Sequence, residues 1–206
     1  MNRRGLWIAV CAVIGAVLVF AGSFASAQDQ NMNGNMRASG SGDRMMSVSS
    51  EDRKFMMMAA AGGMAEVEMG KLALERATSA DVKTYAQKMI DDHTKANEEL
   101  MGIAQAKGVA LPAGPDEKHM KMLEKMRQLS GAEFDRQYVM MAGHKDHEKM
   151  EKLFRDETRK GRDAEVKAFA AKTLPVVQEH LRLARDMHTR MMGTNRSMSG
   201  NMNSNK

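Results

Sequence analysis

Four polar residues stand where a helical pattern calls for apolar ones. Val82, Ala86, Met89, His93, Ala96, Leu100 and Ile103 recur at spacings of four and three, and only His93 among them is polar. Phe55, Ala59, Gly62, Glu66, Met69 and Ala73 form a second such stripe, interrupted by Glu66. Met140, Gly143, His147, Met150 and Phe154 form a third, interrupted by His147. Val166, Ala170, Thr173, Val177, His180, Ala184, Met187 and Met191 form the last, with His180 as its strongly polar member. Such stripes are the buried faces of amphipathic helices. An unpaired polar group there costs roughly 1–3 kcal/mol, so each of the four needs a partner. One carboxylate and three imidazoles are a donor set for Zn, Fe, Mn or Cu. The bland reading is a structural network in which the four satisfy one another or a buried water.

Each of these residues falls near the middle of a long predicted helix. The first helix is expected over about Glu51 to Thr78, with Ser50 as cap and Glu51 and Asp52 favoured by the helix dipole. The second runs from about Ala80 to Lys107, between Ser79 as cap and Gly108 as stop. Val109 to Pro115 reads as an extended connector and Asp116 to Leu129 as a short helix. Ser130 to Glu133 spells a capping box that opens a third long helix, about Gly131 to Lys160. The fourth, about Asp163 to Met192, carries Pro175 in its interior, which predicts a kink. The fold class is therefore all-α, a four-helix bundle with a short crossover helix between helices 2 and 3, a crossover that can run the full length of the bundle, as in ferritin topology, or stay at one end. Midpoints align whichever way each helix runs, so Glu66, His93, His147 and His180 are expected in one layer across the core. Asp92 and Asp135 are weaker candidate ligands. Asp92 should point partly outward, and Asp135 lies about three turns from that layer, where backbone donors or Tyr138 are its natural partners.

The spacing argues against a paired-iron oxidase. That chemistry uses Glu on two helices and Glu-x-x-His on two more. Here Ile90, His144 and Val177 occupy the positions three before His93, His147 and His180. One mononuclear site is the better match. No nucleophile–base motif appears, so hydrolytic chemistry is disfavoured and no catalytic residues are assigned.

The flanks of the chain have a different character. Arg3-Arg4, an apolar run from Leu6 to Phe20 and Ala25-Ser26-Ala27 form a secretory signal over 1–27, with cleavage expected after Ala27. The run is short of the roughly 20 residues that span a bilayer. The expected location is thus the periplasm or cell envelope. The only cysteine, Cys11, lies in that leader, so the mature chain has no disulfide. Losing Arg3 and Arg4 lowers a formal charge of +5 by two, too mild a balance to argue for nucleic acid. Residues 28–50 and 193–206 are rich in Asn, Met, Gly and Ser and are expected to be disordered tails around a domain over 51–192. The chain holds 23 methionines. On helix stripes they read as flexible packing, but Met32, Met36, Met198 and Met202 are tail residues, where thioethers could meet Cu(I) or oxidants.

Several blocks resemble one known family. F-M-M-M-A-A-A-G-G-M-A-E-V-E-M-G-K-L-A-L-E-R-A-T-S-A-D-V-K (55–83) is similar to its first motif, and A-Q-K-M-I-D-D-H-T-K-A-N-E-E-L (86–100) to its second. F-D-R-Q-Y (134–138) with His147 resembles the third, and T-L-P-V-V-Q-E-H-L (173–181) the fourth. This is the bacterial exported family called domain of unknown function 4142, and the likeness covers Glu51 to about Met187. The resemblance implies a ferritin-like bundle, exported, with no established activity. Its motif positions here are Glu66, Asp92, His93, Phe134, Asp135, Tyr138, His147, Pro175 and His180. The outer-membrane label its members carry finds no support in these residues, because no transmembrane barrel or helix is readable after the leader. Two functions remain open. The first is an exported bundle that binds one transition metal and serves metal or oxidative stress tolerance. The second is a non-enzymatic envelope interaction protein whose His/Glu network is structural.

Overall fold

The computed structural model describes residues 48–202, and side chains of residues 48–193. The expected leader, the segment before Val48 and the last four residues lie outside the described residues. Within them every regular element is helical: α1 (Ser50–Arg76), α2 (Ala80–Ala106), α3 (Glu117–Arg127), α4 (Gly131–Tyr138), a π turn (Val139–Asp146), α5 (His147–Lys160) and α6 (Ala164–Met202). α1 packs along α2, α2 on α6, α6 on the π turn and α5, and α5 back on α1. α4, the π turn and α5 follow one another without a break and act as one rod. The result is a helical bundle. None of its helices is long and apolar enough to cross a membrane.

Local chemistry sets the helix ends. Ser49, not Ser50, caps α1, because its Oγ is the one that reaches the Asp52 amide, at 3.1 Å. Ser79 caps α2, and Gly108 turns the chain away from its end at φ 63°. Asp116 caps α3 and Asp163 caps α6. The expected capping box at Ser130 does not form. Gly131 opens the helix at φ 61°, a left-handed backbone, and the Ser130 side chain makes no bond to the amides it would serve. The third long helix is not a continuous α-helix either, since eight of its residues wind as a π turn. α6 stays helical through Pro175 and on to Met202, past the end expected near Met192.

Two buried aspartates tie the bundle's ends. Asp135 accepts from the Thr78 and Ser79 amides at 3.1 and 2.9 Å and from the Thr78 hydroxyl at 2.8 Å, which locks α4 to the α1–α2 junction. Asp52 accepts from the Arg162 and Asp163 amides at 3.0 and 2.9 Å, which locks α1 to the α5–α6 turn. The second lock carries a pH signature. Burial, and the Asp52 carboxylate beside it, push the Glu157 carboxyl up to about 7. Its folded pKa lies above its unfolded value, so the folded state binds the extra proton. The stability contributed is therefore present below the ordinary carboxylate range and is lost as pH rises towards and through 7. Glu157→Gln should flatten the stability profile between pH 5 and pH 8, measured by urea unfolding at fixed ionic strength. An unchanged slope would show that Glu157 is not the titrating group.

The core divides at the polar residues. One apolar cluster includes Met69, Ala73, Val82, Tyr85, Met89, Phe134, Tyr138, Ala142, Ala184 and Met187. The other includes Phe55, Ala59, Leu100, Ile103, Met150, Phe154, Val166, Ala170 and Val177. On α1 the border between them falls at Glu66, on α2 at His93, on the third rod at His147 and on α6 at His180. The layer expected from helix midpoints is thus a layer between two apolar cores.

Candidate metal centre

His93, His147 and His180 are buried at 5%, 0% and 0% exposure, each carried by a different rod. Their ring centroids stand 5.5, 5.2 and 5.3 Å apart. His147 Nε2 lies 3.4 Å from His93 Nε2 and 3.3 Å from His180 Nδ1. One ligand atom from each ring falls within 4.8 Å of the other two.

The outer partners decide which nitrogens carry protons. His147 Nδ1 is 2.9 Å from the carbonyl of Ala142, which can only accept, so Nδ1 donates and Nε2 keeps its lone pair. His180 Nε2 is 2.8 Å from Asp92 Oδ2. Burial opposes ionisation of Asp92, but the hydrogen bonds from Lys88 and His180 outweigh it and hold its carboxyl below the usual range. Asp92 is therefore a carboxylate, His180 Nε2 donates to it, and His180 Nδ1 keeps its lone pair. The rings stay neutral. Burial, with repulsion from its two neighbours, drives His93 well below the usual histidine value. Burial and His180 lower His147 to about 3. Burial also lowers His180, against the pull of Asp92.

Two lone pairs, on His147 Nε2 and His180 Nδ1, then face each other at 3.3 Å with no proton between them. His93 Nε2–H could satisfy only one. The three rings by themselves therefore do not close a hydrogen-bonded network, and the two lone pairs stand open to a cation or to the two protons of a buried water. A tetrahedral ion with bonds of ~2.05 Å holds its nitrogens roughly 3.3 Å apart, which is about the separation His147 Nε2 keeps from each of the other two rings, while the three ligand atoms together lie within 4.8 Å. A carboxylate on the far nitrogen of a ligating ring is the usual outer partner of such a site.

Glu66 is not among the converging atoms. Its Oε1 lies 3.7 Å from His147 Nδ1, on the ring's far side, and its Oε2 is buried without a partner. Burial, reinforced by the charge of Asp146, raises its carboxyl well above the ordinary range. The expected layer of four is thus three convergent rings with a carboxyl beside one of them. Asp92, half-buried, holds His180 rather than converging with the trio. Asp135 is occupied by Thr78 and Ser79 and does not converge with them either. The Ala142 carbonyl went unseen in the sequence because a backbone acceptor has no residue-type signal. Lys88, four residues before Asp92 and 2.8 Å from it, is readable as an ordinary helix pair. A groove of about 1250 Å³, lined by Met64, Ile90, Met101, Leu111 and Met120 among others, touches none of the three rings.

Asp92→Asn keeps the shape but weakens the acceptor. It should reduce Zn²⁺ affinity about 10–100-fold by competition with a chromophoric chelator, the range seen for such outer partners. An unchanged constant would show that the carboxylate does not act through His180.

Residues 37–187 match the model of the family described as "Domain of unknown function (DUF4142)". No curated protein matches the chain. Among solved structures, the crystal structure of a DUF305 fragment from Deinococcus radiodurans is similar at a TM-score of 0.61. It is 12% identical in sequence, over 69% of this chain and 98% of that one. At that identity the likeness speaks to the fold alone.

Proposed function

The chain belongs to the DUF4142 family, and we propose that its helical domain is a ferritin-like four-helix bundle that binds one transition metal ion. His93, His147 and His180 would hold it, with the Glu66 carboxyl, beside the far nitrogen of His147, as a further oxygen donor only if its side chain turns. What carries this reading is the pair of lone pairs on His147 and His180 that meet without a proton. An all-nitrogen set favours Zn, Cu or Fe over Mn, which does better with oxygen donors. When bound, such an ion supplies a fixed positive charge and a Lewis-acid position at mid-height of the bundle. The chain's own part is to present three neutral imidazoles and keep water from them, which suits holding an ion more than turning over a substrate. With the leader read over 1–27, that work lies in the periplasm or envelope, and metal or oxidative stress tolerance is the role it fits.

Elemental analysis of the protein purified from its native compartment tests the reading. About one ion per chain, lost in a His93→Ala/His180→Ala variant, supports it. The same stoichiometry in the variant, or none in the wild type alongside no uptake of added Zn²⁺ or Cu²⁺, would leave a structural His cluster and an envelope interaction protein.

A further inference from the structure

The three histidines come from three rods, and those rods meet at one residue. Gly143, in the π turn, has no side chain. A Cβ built there would lie 2.8 Å from the Cβ of Ala184 and 3.3 Å from the hydroxyl of Tyr85. Ala184 is on α6, one turn after His180. Tyr85 is on α2, the helix of His93, and its hydroxyl donates to the carbonyl of His180 at 3.2 Å. Gly143 itself lies one turn before His147. The contact distance at this residue is therefore the distance between the helices that carry all three rings.

The π winding adds a second effect. In an α-helix the Ala142 carbonyl would face residue 146, whereas π winding registers each carbonyl with the residue five further on. Ala142 is thereby brought level with His147, whose ring donates to it at 2.9 Å. That bond sends the Nε2 lone pair into the trio. We propose that this turn positions the metal centre, with Gly143 setting the separation of the three rods and the Ala142 carbonyl fixing the tautomer of His147. The inference rests on the metal reading above.

Two measurements test it. The first uses the metal-free wild-type protein with ¹⁵N-labelled histidine rings, so no variant has to fold. His147 should show Nδ1 protonated and Nε2 bare, and the opposite tautomer would overturn the role of Ala142. The second uses Co²⁺ as probe, read by its visible absorption. Gly143→Ala should bind Co²⁺ at least about tenfold more weakly and alter the bands. Gly143→Ala/Ala184→Gly, which reopens the space from the opposite wall, should recover the wild-type spectrum and most of the affinity. Wild-type binding by Gly143→Ala, or a folded double variant that recovers neither, would overturn the role of Gly143. If the wild type itself takes up neither Co²⁺ nor Zn²⁺, the metal reading falls, and the tautomer measurement still reports on the turn.

Discussion

Zn²⁺ is expected to raise the melting temperature of the wild-type chain, and a chelator to reverse the rise. A ligand that binds only the folded state stabilises it by about 2.7 kcal/mol at a hundredfold excess over Kd. For a chain of this size each kcal/mol moves the midpoint by roughly 2–4 °C, so an increase on the order of 5–10 °C is expected. The rise should vanish in His147→Ala, because His147 Nε2 is the atom within 3.4 Å of both other rings. His147→Ala also opens a cavity and lowers the metal-free midpoint, so the informative quantity is the difference between loaded and metal-free protein within each variant. Mg²⁺, a hard cation that prefers oxygen, should not mimic the effect. An equal rise in wild type and variant would move the binding site elsewhere. No rise in either would return the rings to a structural role.

Asp135→Ala should be strongly damaging although it lies outside that layer. It removes the acceptor for the Thr78 amide, the Ser79 amide and the Thr78 hydroxyl together. Asp135 is 4% exposed, so water does not easily replace it. Each buried donor left unmatched costs roughly 1–3 kcal/mol, and about 3 kcal/mol in total is expected from urea unfolding with an unchanged slope. Asp135→Asn keeps one acceptor oxygen and should cost clearly less. Asp81→Ala, at an exposed carboxylate of 71% side-chain accessibility, serves as the control and should stay within about 0.5 kcal/mol. A loss at Asp135→Ala no larger than at Asp81→Ala would mean that the α1–α2 junction holds without the lock. Because Asp135 does not contact the three rings, the metal-dependent rise should survive in this variant, which separates the two effects.

The amino-acid pattern by itself determined the helices, most of their ends and the four polar interruptions, though not the π turn or the end of α6. Apolar residues at spacings of three and four mark a buried face however the helices are arranged, and a polar residue on that face is visible without coordinates. Midpoint alignment even placed those interruptions at one level, as the two apolar clusters on either side of them show. Tertiary structure decided which atoms meet. Side-chain reach and ring rotation brought three imidazoles together and left Glu66 beside His147, a difference of a few ångströms that helix periodicity does not resolve. It also decided the role of Asp92, because the partner that orients it, His180, lies 88 residues away in sequence. The π turn was invisible for a related reason. It packs Gly143 against Ala184 and Tyr85, a contact between distant segments, and local propensity does not report such packing.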